Sequence, residues 1–583
     1  MRIAENVTTP PHALITGNDA SGAARLAQAL ARHGVDTAFG QSIPSLFHLV
    51  APRFGIKQAA YRTENAGGAM ADGYARASNR IALVTAQNGP AATLLVAPLA
   101  EALKASVPVI ALVQEVAAAD ADRNAFQEMD HAALFSGVAK WVRRISDPAR
   151  IEDYVDMAVV TASSGRPGPV VLLVPPEVLA AREVKASPRR AQMGRFPLDR
   201  PAPDHEAVQA AAELLRHAER PLIIAGGGVH LSQAQDALAA LQERAHLPVA
   251  TTLMGKGAVA EVHPLSLGIV GHVMGEGARA EHLVDYLHSA DVVLLVGNKT
   301  NQNGTNSWRL YPREARYIHL DIDGAEIGRN YEALRLLGDA RSGLQALTTA
   351  LTGGDLAQRA VSRSEIEAQI AEARGRFDAH LQAITARSDA QTIRPERLML
   401  ELDRRLPPEA IVVSDASYSS VWTGNYLTAQ RVGMRFISPR GLAGLGWGLP
   451  MAIGAKLARP EAPVICVTGD GGFGHCWAEV ETAVRLRLSL VVLVLNNQIL
   501  GYQKDAEDVI FGAHTEACDF APVNHAAIAR ACGARGVRVD DAELIGAALS
   551  EALAHEGVTV LDVVSDPAAR PPISFYRGKF TDS

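Results

Sequence analysis

Short β-branched apolar runs alternate with Ala-rich stretches of helical period along most of this chain, as in IALVTA (81–86), APLAEALKAS (97–106) and VPVIALVQE (107–115). Runs of this length, apolar throughout rather than at every second position, are the mark of strands buried on both faces. The pattern predicts an α/β fold of mainly parallel sheets with helices on both faces. It breaks at about 186–204, where KASPRRAQMGRFPLDRPAPD replaces apolar period with prolines and charge. It breaks again at about 353–392, a polar stretch predicted to be helical. With 583 residues the chain is too long for one core. Three domains are therefore expected, at 13–185, 204–352 and 390–570. The outer two share a plan of strand, Gly-rich turn and helix carrying a carboxylate, as two halves that build one site would.

A formal net charge of −7 gives no basic field for nucleic acid or an anionic membrane. The opening MRIAENVTTPPHALITGND lacks a basic region followed by an apolar one, and later apolar runs are far shorter than the ~20 residues of a membrane span. Cys466, Cys476, Cys518 and Cys532 show no C-x-x-C spacing and are read as incidental thiols. A cytoplasmic protein that binds neither nucleic acid nor membrane is expected.

The segment VICVTGDGGFGHCWAEVETAVRLRLSLVVLVLNNQILGY carries the strongest chemical signal. One strand is predicted to end at Gly469-Asp470-Gly471 and a second, one helix later, at Asn496-Asn497. Strand C-terminal ends are where open α/β sheets bind ligands. An Asp carboxylate, an Asn side-chain oxygen and a backbone carbonyl form an all-oxygen cage suited to Mg²⁺ bridging a diphosphate. Gly471 and Gly472 would let backbone N–H groups approach the phosphates.

This pair of motifs resembles the thiamine diphosphate (ThDP) binding signature. The likeness extends over most of the chain to the acetolactate synthase and pyruvate oxidase group, with its pyrimidine-binding, central and diphosphate-binding domains. It implies that Asp470 and Asn497 ligate Mg²⁺ through side chains and Ile499 through its carbonyl. Gly469, Leu500 and Gly501 would line the cofactor beside them. YRTENAGGAMADGYARAS resembles the segment bearing the activating glutamate, here Glu64. A buried carboxyl there, hydrogen-bonded to N1′ of the aminopyrimidine, favours the tautomer that takes the proton from thiazolium C2. ISPRGLAGLGWGLPMAIGAKL is similar to the aminopyrimidine cradle, with Leu445 as the wedge and the Ala443 carbonyl facing N4′. VVSDASYSSVW matches a diphosphate-contacting loop through Tyr418 and Ser419. AFQEMDHAALF resembles an acetolactate synthase segment whose Gln, here Gln127, faces the reacting centre.

The resemblance implies cleavage of a carbon–carbon bond beside a carbonyl, with the thiazolium as electron sink. The expected substrate is a 2-oxoacid such as pyruvate, or a 2-hydroxyketone. Gln41, Asn88, Tyr502, Gln503 and Lys504 are candidates for the substrate pocket. Departures from the family narrow the reading. The usual GYPG after the first strand is Gly40-Gln41-Ser42-Ile43, and Ala506 stands where biosynthetic acetohydroxyacid synthases carry a Trp. Branched-chain synthesis is therefore not implied. ENAGGAMADGYARA, QNGP and Lys504 are equally similar to sulfoacetaldehyde acetyltransferase, which passes an acetyl group to phosphate. Simple decarboxylation, 2-hydroxyketone cleavage and an inactive regulatory homologue are further rivals, the last disfavoured because Glu64, Asp470 and Asn497 are all retained. GGGV in the central domain is not a G-x-G-x-x-G fingerprint, and Lys299 replaces a common Arg, so FAD binding is left open. In the family the cofactor lies between subunits, which implies a homodimer or homotetramer.

Overall fold

The computed structural model describes residues 20–386 and 392–574. The opening segment and the expected domain starts at 13 and 390 lie outside the described residues.

Among the described residues eighteen strands form three six-stranded sheets, paired in parallel throughout. The first holds β1 (Thr37–Phe39), β2 (Lys57–Ala59), β3 (Ala82–Ala86), β4 (Val109–Gln114), β5 (Trp141–Arg144) and β6 (Val170–Val174), in the order β2-β1-β3-β4-β6-β5. The central sheet holds β7 (Pro221–Ala225), β8 (Val249–Thr251), β9 (Ser266–Ile269), β10 (Val292–Val296), β11 (Arg316–Asp321) and β12 (Ala333–Leu337). From one edge it runs β9-β8-β7-β10-β11-β12, the doubly wound dinucleotide-fold order. The third holds β13 (Ile411–Ser414), β14 (Arg435–Ile437), β15 (Val464–Gly469), β16 (Leu490–Asn496), β17 (Arg535–Val539) and β18 (Val558–Val564). Its order, β14-β13-β15-β16-β18-β17, repeats that of the first sheet strand for strand.

Continuous burial along the strands explains their unbroken apolar sequence. In the central sheet Ile223 and Leu294 enter one core while Leu222, Ile224, Val293 and Leu295 enter the core on the other face, the period-2 alternation of a pleated strand. Helices cover these faces. Those that matter for the site are α1 (Gly22–Arg32), α2 (Glu64–Ser78), α3 (Val96–Ala105), α4 (Ala357–Thr385), α5 (Tyr418–Tyr426), α6 (Gly448–Ala458) and α7 (Gly501–Phe511).

The polar stretch after the central sheet is indeed helical, as α4. It buries Ile366, Ile370 and Ala373 against the central core and Phe377 and Leu381 against that of the third sheet, spacings of three and four residues that keep one face inward. The Pro- and charge-rich linker contains no helix from 182 to 204, yet it is anchored. Met193 donates its N–H to His33 Nδ1 (3.1 Å) and Arg189 pairs with Asp156 (3.0 Å).

The chain divides into two compact units. One comprises residues to Leu198 together with Pro439–Pro460 and Glu481–Leu486; the other comprises Asp199–Ser438, Glu461–Val480 and residues from Arg487 onward. Within the first unit α6 lies directly on α2. A Cβ at Gly73 would fall 2.2 Å from the Met451 carbonyl oxygen, and one at Gly454 only 1.9 Å from that of Met70. The two helices touch backbone to backbone, which only glycine allows at these points.

Candidate active site

The first and third sheets each reverse winding direction between their first and third strands, the switch point where open α/β sheets leave a crevice. In the third sheet that point lies between β13 and β15. β13 runs into Asp415 and β15 into Asp470, both buried. Asp470 Oδ1 accepts the Gly471 N–H (2.9 Å) and Oδ2 accepts the Gln498 N–H (2.6 Å). Burial nevertheless pushes its carboxyl up to about 6. A carboxylate so isolated is stabilised most by a cation. Asn497 follows β16, and Gln498 beyond it adopts the left-handed region (φ 61°). That turn sets Ile499 two residues past Asn497, where its N–H meets Asn497 Oδ1 (3.3 Å). The loop is fixed from outside by Phe520 N–H to the Gln498 carbonyl and Leu500 N–H to the Cys518 carbonyl, both 2.8 Å. Asn496, one residue earlier on the strand, points away and donates to Asp562 (2.8 Å).

The two glycines after Asp470 have a tighter reason than phosphate access alone. A Cβ at Gly472 would fall 2.1 Å from Asp415 Oδ2, and one at Gly471 2.8 Å from Leu500 Cδ2. Tyr418 opens α5, donates its hydroxyl to Asp505 on α7 and stacks edge-on with Tyr502 at 5.9 Å. Ser419 is buried beside it. Gly501 is held against the Tyr418 ring, where a Cβ would approach to 2.8 Å. Gln503 points outward and donates to Glu507 (2.8 Å), while Lys504 is half-buried on the first turn of α7.

The remaining candidates belong to the first unit. Glu64 is the first residue of α2, after the cap Thr63, and is half-buried rather than enclosed. The cradle sits at the same helix end, with Trp447 Nε1 donating to the Asn65 side-chain oxygen (3.0 Å). Within it Ala443 adopts φ 61° and Leu445 is half-buried. Gln127 also has a positive φ (61°), and Oε1 accepts from Gln87 Nε2 (2.8 Å). Asn88 is turned to this loop, its amide donating to the carbonyls of Phe126 (3.0 Å) and Gln127 (3.1 Å). Glu128 accepts the N–H groups of Asp122 and Ala125, and those amides hold its carboxyl below the usual range. Gln41 donates to the Arg62 carbonyl (2.8 Å).

Three family models match parts of the chain: "Thiamine pyrophosphate enzyme, N-terminal TPP binding domain" over 20–134, the central domain over 208–347 and "C-terminal TPP binding domain" over 415–563. The chain is a member of the thiamine pyrophosphate enzyme family. Among its relatives, the acetolactate synthase large subunit of Parasynechococcus marenigrum is 33% identical over 93% of this chain and 87% of its own length. A probable acetolactate synthase large subunit of Methanocaldococcus jannaschii is 32% identical over 89% of this chain and 87% of its own. The sulfoacetaldehyde acetyltransferase of Rhodobacter capsulatus is 31% identical, covering 90% of both chains.

In this thiamine pyrophosphate enzyme, buried polar residues outside those motifs pack around the same turns. Asp415 braces the switch point, accepting from Thr468 Oγ1 (3.1 Å) and from the Ala416 N–H (2.8 Å). His131 is buried, accepts the Gly89 N–H at Nε2 (3.0 Å) and turns Nδ1 toward Glu115 (3.6 Å), bracing the turn that holds Gln127. Glu101 lies among Leu99, Ala102 and Ala105 on the buried stripe of α3. A carboxylate on an apolar face was the legible sign of it. Among the described residues no helix is long and apolar enough to cross a membrane.

Proposed function

We propose that the protein decarboxylates a 2-oxoacid such as pyruvate and joins the acyl fragment to a second carbonyl compound, as an acetolactate synthase does. The observation that carries this reading is the buried Asp470 turn at the end of β15 beside Asn497 and Ile499 at the end of β16. These groups offer only oxygen donors, the set Mg²⁺ prefers. Asp470 and Asn497 would hold the ion through side chains and Ile499 through its carbonyl, with Tyr418, Ser419, Gly469, Gly471, Gly472, Leu500 and Gly501 around the diphosphate.

Bound ThDP supplies the electron sink for the carbanion left when CO₂ departs. Glu64 would place a carboxyl at N1′ of the aminopyrimidine, the Ala443 carbonyl would accept from N4′, and Leu445 would support the ring. A second subunit enclosing the half-exposed Glu64 would remove it from water, which favours the homodimer or homotetramer that the family resemblance implies. Gln127, braced in its left-handed turn by Asn88 and Gln87, would orient the substrate carbonyl without adding charge. Gln41, Tyr502 and Gln503 line the approach in this reading. Carboligation is redox-neutral, so a flavin held by the central domain would take no part in electron transfer.

Lys504 favours a second reading, acyl transfer to phosphate: half-buried, its ammonium meets no carboxylate among the described residues. One experiment separates the two. Protein purified without cofactor is given ThDP and Mg²⁺ either with pyruvate, when acetolactate and acetaldehyde are measured, or with sulfoacetaldehyde and phosphate, when acetyl phosphate and the sulfite released with it are measured. Acetolactate that requires both additions supports carboligation, acetyl phosphate the transferase, and absence of ThDP binding rules out both.

A further inference from the structure

Three charged side chains of the first unit are buried together on α2 and α3. Asp72 is 0%, Glu101 1% and Arg76 5% exposed. Arg76 meets Asp72 through two nitrogens, Nε to Oδ1 at 2.6 Å and Nη2 to Oδ2 at 3.1 Å. One guanidinium is thus already matched to one carboxylate, and Glu101 brings a second negative charge into the same dry space. Its contact with Arg76 is the longer one, Nη2 to Oε1 at 3.2 Å. What otherwise faces that surplus charge is backbone. Oε1 accepts the Gly441 N–H (2.8 Å) and Oε2 the Leu442 N–H (2.5 Å). A buried carboxylate gathering two successive amides is a strong, charge-assisted arrangement. Gly441 is pressed so closely on Glu101 that a Cβ there would lie 2.6 Å from its carbonyl oxygen and 2.9 Å from Oε2.

The amides belong to the turn that leads into Ala443, a residue with a side chain held at φ 61°. Such a backbone persists only where its surroundings over-determine it. On the far side Trp447 is tied to Asn65; on the near side the clamp is Glu101. We propose that Glu101 is a positioning residue, whose carboxylate fixes the Gly441–Leu445 turn and so aims the Ala443 carbonyl and the Leu445 side chain at the aminopyrimidine of bound ThDP. This rests on the cofactor reading above.

The test is ThDP affinity of the full-length protein in Mg²⁺, followed by tryptophan fluorescence without substrate. Glu101→Gln keeps the shape, removes the charge and turns an NH₂ donor toward groups that donate. It is expected to weaken ThDP binding by about 10- to 100-fold, with far-UV circular dichroism and subunit assembly unchanged. Asp72→Asn neutralises the other carboxylate, which touches no residue of the turn, and should leave affinity unchanged. Ala443→Gly removes the strain, since glycine adopts this φ freely, so the loss caused by Glu101→Gln should shrink in that background. Wild-type affinity in Glu101→Gln, or an equal loss with and without Ala443→Gly, overturns the proposal. Should the Gln variant fail to fold, Glu101→Asp keeps the charge but shortens its reach, and unchanged affinity there overturns it too. Failure of the wild type to bind ThDP strikes the cofactor reading instead.

Discussion

The first and third sheets have the same strand order, yet their switch points are chemically opposite. The third strand of each carries a threonine one residue before its end, Thr85 in β3 and Thr468 in β15. In the third sheet Thr468 donates to Asp415, the residue that follows β13. The residue that follows β1 is Gly40, and the space its missing side chain leaves holds the contact between Thr85 Oγ1 and His48 Nε2 (2.9 Å). Burial lowers that imidazole to about 4, so it is uncharged at neutral pH. Past β15 comes Asp470; past β3 comes Gln87, an amide. One frame thus ends in carboxylates and the other in neutral groups. Topology places the crevice, and the side chains at the strand ends decide whether a charged diphosphate with its cation or a neutral ring would be stabilised there.

Substitutions at matched positions would break or sharpen this contrast. The largest effect is expected from Asp470→Ala, which should reduce turnover to background and abolish Mg²⁺-dependent ThDP binding in calorimetry. Removing Mg²⁺ with a chelator should do the same to the wild type. Glu64→Gln, on the neutral side, should slow turnover by about 10²- to 10⁴-fold, the range of a lost proton-transfer group, while ThDP still binds. Equal loss of binding in both variants would erase the division of labour. Next comes a pair of glycines three residues past their strands. Gly472→Ala meets Asp415, and Gly89→Ala meets the Gln127 side chain at 2.7 Å from a backbone of φ 64°. Each should destabilise its unit by about 1–3 kcal/mol in chemical denaturation. The last pair is the two threonines, and the smallest effect of all is expected at Thr85. Thr468→Val removes a hydrogen bond to a carboxylate and should cost about 1.5–3 kcal/mol, against about 0.5–1.5 kcal/mol for Thr85→Val beside a neutral imidazole. A larger loss at Thr85 would contradict the charge assignment.

The fold class was legible because every sheet is parallel and covered on both faces, so β10 and β15 appear in sequence as unbroken apolar runs. The Asp470 and Asn497 turns were legible because each follows such a run directly. What could not be read was set by distance along the chain. Glu101 meets Gly441 across 340 residues, and no local pattern links an Ala-rich helix to a Gly-rich turn so far away. Asp415 and His48 draw their meaning from Thr468 and Thr85 on neighbouring strands. The glycines after Asp470 were assigned to ligand approach from sequence, whereas their hydrogens also face Asp415 and Leu500 within the protein. Asn88, expected in the substrate pocket, is committed to the loop that carries Gln127.

The close pairing of α2 with α6 has a consequence for how the protein is made. The Met70 surface of α2 is synthesised several hundred residues before Gly454, which packs upon it. At roughly 5–20 residues per second, the ribosome leaves that surface uncovered for tens of seconds. The first unit therefore cannot be completed as it emerges, and a nascent chain stalled before the third sheet would present a glycine-lined helical face to any binding partner able to shield it.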